Sequence, residues 1–290
     1  MKILVTGSRG FVASAIARKL LADGNRVVGI GRTPSAGGSC EYIPCDISNA
    51  SVVDGMLKSG SFNAVVHAAA CLSNNVVELF STNIVGTENL VRGCEKYGIS
   101  TMVHLSSIQV VSYSDSAIDE SAEMRPPTAY HMSKAAGELL VENARGVRNV
   151  IYRFASPVGA GMPSGKILST FVRKALLNED IDILGDGSRV QNYISVDDVA
   201  AAVVRGLSVS RLRGVYNLSG ESISDLELAR LCINELGSQS RINVLKKVEL
   251  REKWYIDDSK IRSQCELGTP RSLRSIVVEI AEEMKKRRGG

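Results

Sequence analysis

Short apolar runs alternate with helical patterns along the first half of the chain. Between the first two runs, Val12, Ile16 and Leu20 recur every four residues, which predicts a helix with one apolar face packed on a sheet. Because crossovers between parallel strands are right-handed almost without exception, the alternation predicts an α/β fold with a doubly wound parallel sheet. The predicted strands are Lys2 to Thr6, Arg26 to Gly31, Tyr42 to Cys45, Ala64 to Ala68, Thr101 to Ser106 and Asn149 to Phe154.

The pattern changes after Phe154. Two prolines and three glycines fall within residues 157–165 and predict a loop that leaves the sheet. We expect a main domain made of residues 1–155 plus about 188–208, and a smaller C-terminal mixed α/β lobe made of about 156–187 plus 209–290. A helix is predicted at 167–177. A strand at 192–196 and the helix that follows it at 197–207 are predicted to return to the main domain. The last predicted elements are a capped helix from Ser224 to about Leu236 and a final amphipathic helix at 273–286.

Composition places the chain among ordinary globular proteins. Its 290 residues are 44% hydrophobic and 23% charged, so it can bury a sizeable core, and disorder is excluded. A formal charge of +4 is too small to indicate a nucleic-acid partner. No apolar stretch approaches the roughly 20 residues of a membrane span, and the first strand turns glycine-rich before it could form a signal peptide. We therefore expect a cytoplasmic protein without a membrane partner.

Cysteine and histidine usage does not indicate a metal site. The six cysteines contain no C-x-x-C pair, and the three histidines are far apart along the chain. We expect reduced, mostly buried thiols and no bound metal.

A glycine-containing turn follows the first predicted strand and opens a helix. Its sequence is Gly7-Ser8-Arg9-Gly10-Phe11-Val12-Ala13, in which small residues recur at every third position. Such a turn lets the backbone approach a pyrophosphate, which the N–H groups and the positive end of the helix dipole would hold. The alternative is a turn that only joins strand to helix. The turn indicates a dinucleotide site in the main domain, and the smaller lobe is then expected to bind the substrate.

The end of the second strand bears on the choice of cofactor. An acidic residue there would bond a ribose 2′-hydroxyl and repel a 2′-phosphate, but the chain has Arg32. Arg32, helped by Arg9, can pair with a phosphate, which favours NADP over NAD. In the alternative interpretation, both arginines are solvated surface groups.

Three residues form a candidate catalytic set. Tyr130 and Lys134 are four positions apart, which places both on one face of a helix. A nearby ammonium favours the phenolate and makes proton transfer to or from a substrate oxygen feasible. Ser107 follows the fifth strand at the sheet edge where ligands bind, although a serine there can also be a simple cap.

Taken in order, these segments resemble the extended short-chain dehydrogenase/reductase superfamily, the group of nucleotide-sugar epimerases, dehydratases and reductases. The resemblance spans nearly the whole chain. The matching segments are 6–13, Asp46-Ile47, 67–70, Asn83 with 86–90, Ser106-Ser107, 130–134, 153–159, 185–187 and 193–199.

The resemblance implies a Rossmann-type fold, a nucleotide-sugar substrate, a homodimer and roles for particular residues. Ser107 and Tyr130 handle the proton, and Lys134 also bonds the nicotinamide ribose. His67 is then a strand-end residue and not a catalytic base, and we interpret His104 and His131 as structural or surface groups. The implied cofactor contacts are Gly7, Arg9, Gly10, Phe11, Val12, Arg32, Asp46, Ile47, Ala68, Ala69, Ala70, Asn83, Tyr130 and Lys134.

The chain departs from the family pattern at several positions. Ile108-Gln109 replace the Asp-Glu pair of family dehydratases, and this stretch lacks the cysteine of enzymes that epimerise next to a keto group. Gln191 stands where relatives have an arginine, and Ser156 where they have an asparagine. Ser156, Gln191 and Arg189 are therefore the candidate substrate contacts, and diphosphate binding would need Arg189, or one of Arg173 and Lys174, as a substitute.

Three functions fit these residues. The first is hydride transfer between a nicotinamide and C4 of a nucleotide-activated hexose, as a 4-ketoreductase, which Arg32 favours, or as a 4-epimerase. The second is reduction of a ketone or aldehyde that carries no nucleotide, which Gln191 and Ser156 favour. The third is a non-catalytic NADP-binding sensor, against which the presence of Ser107, Tyr130 and Lys134 argues.

Overall fold

The computed structural model describes residues 1–33, 40–245 and 251–289, so parts of both predicted domains, residues 34–39, 246–250 and 290, lie outside the described residues. The strands are β1 Lys2–Thr6, β2 Arg26–Gly31, β3 Glu41–Pro44, β4 Ala64–His67, β5 Thr101–Leu105, β6 Arg148–Arg153, β7 Ser156–Val158, β8 Ile181–Leu184, β9 Val190–Ser195, β10 Gly214–Asn217, β11 Glu221–Ser224 and β12 Ile242–Leu245. The helices are α1 Phe11–Ala22, α2 Ala50–Gly60, α3 Val76–Phe80, α4 Gly86–Tyr97, α5 Ala129–Glu142, α6 Ile167–Leu176, α7 Val196–Ser208, α8 Asp225–Glu235, α9 Ser259–Gln264 and α10 Leu273–Gly289. A π-helical turn, Ser81–Val85, precedes α4, and a 3₁₀ turn, Ile108–Val110, follows β5.

The main sheet has seven parallel strands in the order β10-β6-β5-β4-β1-β2-β3. All six predicted strands are present, each within one residue of its predicted bounds. The strand order reverses between β1 and β4, and such a switch point opens a crevice at the carboxyl ends of the strands. The predicted Rossmann-type α/β fold is confirmed.

Helices cover both faces of this sheet. On one face, α1 and α7 pack together and bury Ile16 and Val203 against the strands. On the other face, α2, α4 and α5 bury residues such as Leu57 and Leu90. This two-sided burial explains why the strands are almost continuously apolar.

A smaller lobe has its own hydrophobic core. Its core joins α6, α8 and α10 to the three-stranded sheet β11-β9-β7 and the two-stranded sheet β12-β8. The capping box at Ser224 and Glu227 is present at the start of α8.

Two predicted placements differ from the structure. The strand predicted at 192–196 is β9, which pairs with β7 and β11 in the lobe. Of the strand and helix that were predicted to return to the main domain, the helix α7 does so. Conversely, β10 falls within the range predicted for the lobe but pairs with β6 in the main sheet. Asn217 of β10 is buried and donates to the backbone oxygen of Ile118, a contact that local sequence does not reveal.

The remaining expectations from composition concern cysteines, membranes and metals. All six cysteines are free thiols, and all but the half-buried Cys40 are buried. Within the described residues, the helices include none long and apolar enough to cross a membrane. The same part of the chain contains no group of three or more His, Cys, Asp or Glu side chains that could hold a metal ion.

Candidate active site

A cleft of about 280 Å³ lies at the carboxyl ends of the strands around the switch point. It is lined by residues that follow β1, β2, β3 and β4, which are the positions that the sequence assigned to a cofactor. The predicted residues in its lining are Gly7, Arg9, Gly10, Arg32, Asp46, Ile47, Ala68, Ala69 and Ala70.

The turn after β1 is shaped to hold an anion. Gly7 has a φ of +63°, and a Cβ there would stand 2.8 Å from the Ala69 Cα, so only glycine fits. Gly10 is the N-cap of α1, and among the described residues no side chain caps this helix and no acid occupies its first turn. The helix therefore begins with N–H groups available to a phosphate, and Phe11 and Val12 supply the first of them. These features fit the pyrophosphate of a dinucleotide.

A buried hydrogen-bond network fixes the opposite wall. The backbone N–H groups of Ala68 and Ala69 donate to the Thr6 Oγ1 at 3.1 and 3.0 Å, so the Thr6 hydroxyl donates to the His67 Nδ1 at 2.8 Å. The His67 Nε2 then carries the hydrogen and donates to the Thr87 Oγ1 at 2.9 Å. Burial lowers the pKa of His67 to about 3, so the ring is neutral and structural.

Asn83 is buried and follows Thr82, which lines the cleft. Its side-chain oxygen accepts from the Cys71 N–H at 2.7 Å, and its NH₂ group donates to the Cys71 carbonyl and to the Ser133 Oγ. This geometry indicates that Asn83 positions the loop after β4 against α5, and the direct cofactor contact that the resemblance implies stays a prediction.

The two arginines of the predicted 2′-phosphate site differ in their surroundings. The Arg9 guanidinium stacks on the ring of Tyr42, 4.7 Å from its centroid, and the Tyr42 hydroxyl donates to the Thr33 carbonyl. The Arg32 Nη1 instead forms an ion pair with the Glu78 Oε1 at 3.2 Å. Sequence reasoning missed both Tyr42, which also lines the cleft, and Glu78.

Helix α5 carries Tyr130 and Lys134 and packs against the end of β5. The Ser106 hydroxyl of that strand end bonds the Glu138 carboxylate, and the Lys134 Nζ donates to the His104 Nε2 at 3.4 Å. The next residue, Ser107, caps the 3₁₀ turn by accepting from the Gln109 N–H at 3.2 Å. That bond leaves the Ser107 hydroxyl hydrogen for another acceptor. Among the described side chains, no hydrogen bond joins Ser107, Tyr130 and Lys134 directly.

Burial shapes the ionisation of this set. It raises the pKa of Tyr130 above its ordinary value, so the phenol is protonated at neutral pH. It also lowers the pKa of Lys134 to about 8, against the opposing effect of the Glu138 carboxylate. The pKa of buried His104 lies well below its usual range, so the neutral ring accepts from the lysine. Sequence reasoning took His104 for a structural or surface group and missed its contact with Lys134.

Lys134→Met is expected to raise the free energy of unfolding by roughly 1–3 kcal/mol at pH 7, because an ammonium whose pKa falls from 10.5 to about 8 on folding opposes folding. This opposition is complete below pH 8 and disappears as pH rises toward 10.5. Urea unfolding of both proteins at pH 7 and 9.5 checks the prediction. A gain that does not shrink at pH 9.5 would contradict it.

A buried ion pair between Glu138 and Arg153 joins α5 to the main sheet. The Arg153 Nε lies 3.1 Å from both Glu138 oxygens, and the Arg153 Nη2 lies 2.7 Å from the Glu138 Oε2. Both side chains are almost fully buried. The pair fastens α5 to the end of β6, and sequence reasoning assigned no role to Glu138.

The candidate substrate residues lie along the small sheet of the lobe. Ser156 belongs to β7, and Gln191 belongs to its neighbour β9 and is buried. Arg189 forms a two-pronged ion pair with Asp225, through Nε at 2.9 Å and Nη2 at 3.1 Å. The other two possible substitutes for the missing arginine are also paired, Arg173 with Glu179 and Lys174 with Asp182.

The sheet order, the glycine turn and the Tyr-x-x-x-Lys helix define a protein of the short-chain dehydrogenase/reductase type. A family model described as the NAD dependent epimerase/dehydratase family matches residues 3–219, and the chain belongs to that family.

Similar proteins are enzymes that act on nucleotide sugars. The chain is 28% identical over 271 residues to a dTDP-4-dehydro-6-deoxy-D-allose reductase from Streptomyces sp, with 83% of each chain covered. It is 30% identical over 228 residues to a UDP-glucose 4-epimerase from Mycolicibacterium smegmatis, covering 71% of this chain and 72% of the relative. The structure of MoeE5 in complex with UDP-glucose and NAD has a TM-score of 0.86 at 25% identity and covers 99% of this chain and 100% of that one.

Proposed function

We propose that the protein transfers a hydride between a nicotinamide cofactor and C4 of a nucleotide-activated 4-keto hexose. The observation that supports the proposal is the packing of α5, the helix that carries Tyr130 and Lys134, against the end of β5. There Lys134 contacts His104, and Glu138, one turn further along α5, bonds Ser106, the neighbour of Ser107. The named activities of the reductase and the 4-epimerase among the relatives support the same chemistry.

Each catalytic residue has a defined role in this proposal. The bound nicotinamide supplies or accepts the hydride. Tyr130, protonated because burial raises its pKa, gives its proton to the carbonyl oxygen during reduction. Ser107 donates its unused hydroxyl hydrogen to the same oxygen. Lys134, charged below about pH 8, stabilises the phenolate that remains and bonds the ribose.

Arg32 and Arg9 offer two guanidinium groups to a 2′-phosphate, so NADP is the proposed cofactor. A preference for NADP favours reduction over epimerisation. An epimerase would keep NAD bound and restore it in each cycle. Dehydration is disfavoured because Ile108 and Gln109 replace the acid and base that it needs.

The reductase and epimerase forms of the proposal differ in how they hold the cofactor. The purified protein is denatured and any released cofactor identified, and undenatured protein from the same preparation is titrated with NADPH and NADH by nicotinamide fluorescence. A reductase is expected to release little cofactor and to bind NADPH more tightly. Stoichiometric released NAD would favour the 4-epimerase, and failure to bind either nucleotide would contradict the proposal.

A specific observation supports a second candidate, reduction of a ketone or aldehyde without a nucleotide. Gln191 removes a cation from the expected diphosphate site, and Arg189, Arg173 and Lys174 each already face a carboxylate. Calorimetric titration with UDP, dTDP and GDP separates the candidates. Binding of one nucleotide supports the nucleotide sugar, and binding of none supports the second candidate.

We propose that the protein is a homodimer and that it works in the cytoplasm. The support for the dimer is a groove of about 580 Å³ between α4 and α5, which is lined by both apolar and charged side chains: Ile84, Val91, Ala136, Leu139 and Leu140 with Glu88, Arg92 and Glu95. Leu139 in this groove is 51% exposed, although it is a large apolar side chain. A groove lined by apolar and charged side chains on a pair of helices suits a second copy of the same helices.

Leu139→Glu is expected to convert the dimer to a monomer, because two carboxylates would meet within the groove. Size-exclusion chromatography with light scattering measures the mass. The control is Val52→Glu, which places the same charge on the exposed face of α2 and leaves the dimer intact. A monomeric wild-type protein, or a dimer that survives Leu139→Glu, would contradict the proposed interface.

A further inference from the structure

The ion pair between Arg32 and Glu78 joins two segments that contribute to the lining of the cofactor cleft. Arg32 follows β2, whereas Glu78 lies on α3 in the segment after β4, and β1 lies between these two strands in the sheet. The pair therefore links the segments that follow β2 and β4, on either side of β1, and β1 leads into the turn that begins at Gly7. Both side chains are about half exposed, at 54% and 45%, so a ligand in the cleft can reach them.

Glu78 is held in place by its own helix start. The Asn75 side chain caps α3 and accepts from the N–H groups of Val77 and Glu78 at 3.0 and 3.3 Å. Hydrogen bonding from Ser73 and the nearby Arg32 guanidinium hold the pKa of Glu78 below its usual range. A carboxylate is thus fixed in charged form beside the arginine that was expected to bind a 2′-phosphate.

The two cofactors meet this carboxylate differently. A 2′-phosphate on Arg32 must displace Glu78 or lie close to a like charge, and either raises the free energy of the complex. A 2′-hydroxyl brings no negative charge and can donate to a carboxylate. Arg9, which has no carboxylate partner among the described residues, does not share this competition, since its guanidinium stacks on Tyr42.

We propose that Glu78 reduces the preference of the cleft for NADP by competing with the 2′-phosphate for Arg32. This inference rests on the proposed function, because it requires that the cleft bind a nicotinamide dinucleotide. Glu78 is then a specificity-determining residue that weakens NADPH and leaves NADH unchanged or slightly favoured.

A double-mutant cycle tests the competition. Dissociation constants for NADPH and NADH are measured by nicotinamide fluorescence at low ionic strength for the wild type, Glu78→Gln, Arg32→Ala and the double variant. Glu78→Gln is expected to tighten NADPH roughly three- to tenfold and to change NADH by less than about twofold. In the Arg32→Ala background, the same change is expected to alter NADPH by less than about twofold.

Glu41→Gln is the matched control. Glu41 is also an exposed glutamate in an ion pair, with Arg26 at 2.9 Å, and both residues begin strands at the edge of the sheet opposite the cleft. It changes the net charge equally and is expected to leave both constants unchanged. Equal gains for NADPH and NADH, a gain in the Glu41→Gln control or a full gain without Arg32 would overturn the inference. If the wild type and the control bind neither nucleotide, the proposed function itself fails.

Discussion

Tyr130→Phe is expected to lower kcat by about 10²- to 10⁴-fold, because this variant loses the phenolic hydrogen that protonates the substrate oxygen. The ring remains, so packing at the start of α5 and the dissociation constant for NADPH are expected to change little. Steady-state kinetics under saturating substrate and a fluorescence titration with NADPH measure the two effects separately.

Tyr97→Phe serves as the control for this experiment. Tyr97 is the last residue of α4, its hydroxyl donates to the Asp54 carboxylate, and it lines no part of the cleft that the described residues form. Its variant is expected to retain wild-type kcat. A Tyr130→Phe enzyme with more than about a tenth of wild-type kcat would remove Tyr130 from the catalytic role.

Glu138→Ala is expected to lower the free energy of unfolding by about 3–5 kcal/mol, because it leaves the Arg153 guanidinium buried without its counter-charge. The Ser106 hydroxyl loses its acceptor as well. Since the carboxylate fastens α5 to β5 and β6, activity is expected to fall with stability. Urea unfolding followed by circular dichroism gives the free energy.

Two further variants keep this prediction testable if Glu138→Ala fails to fold. Glu138→Leu combined with Arg153→Met removes both charges and is expected to recover most of the loss. Glu41→Ala removes a partner from the exposed pair with Arg26 and is expected to change stability by less than about 1 kcal/mol. Equal losses in Glu138→Ala and Glu41→Ala, or no recovery in the double variant, would show that burial of the charge is not the cause.

The main sheet was predictable because most of its strands are buried on both faces, which gives each a short continuous apolar run such as Ile3 to Val5 in β1. Local pattern does not specify a strand's partners, however. The strand β9 has the expected pattern but pairs in the lobe, and β10, with only four residues, was missed although it completes the main sheet. Both differences arise from tertiary pairing between distant segments.

The same limit applies to the site. Motif spacing led to the predictions for the glycine turn after β1, Arg32 and the Tyr130 and Lys134 pair, because each lies within a few residues of a strand end or along one helix. Glu78 meets Arg32 across 46 residues of sequence, and His104 meets Lys134 across 30. Such contacts exist only once the sheet has assembled, so no spacing rule indicates them. Glu138 could have been noticed from local sequence, since it lies one turn after Lys134 on α5. Its partner Arg153, however, comes from the strand β6.

Label transfer tests the central proposal, hydride transfer at C4, most directly. The protein is incubated with UDP-, dTDP- and GDP-linked 4-keto hexoses together with NADPH deuterated at the transferring position of the nicotinamide. In parallel it is incubated with the corresponding 4-hydroxy hexoses together with NAD, which accepts the hydride in the first half of an epimerisation. Each sugar is then examined by mass spectrometry and proton NMR. The proposed reductase is expected to place one deuterium at C4 of a 4-keto sugar, and the 4-epimerase form to invert C4 of a 4-hydroxy sugar. Recovery of every nucleotide sugar unlabelled and with C4 unchanged, from protein that binds NADPH, would contradict the proposal.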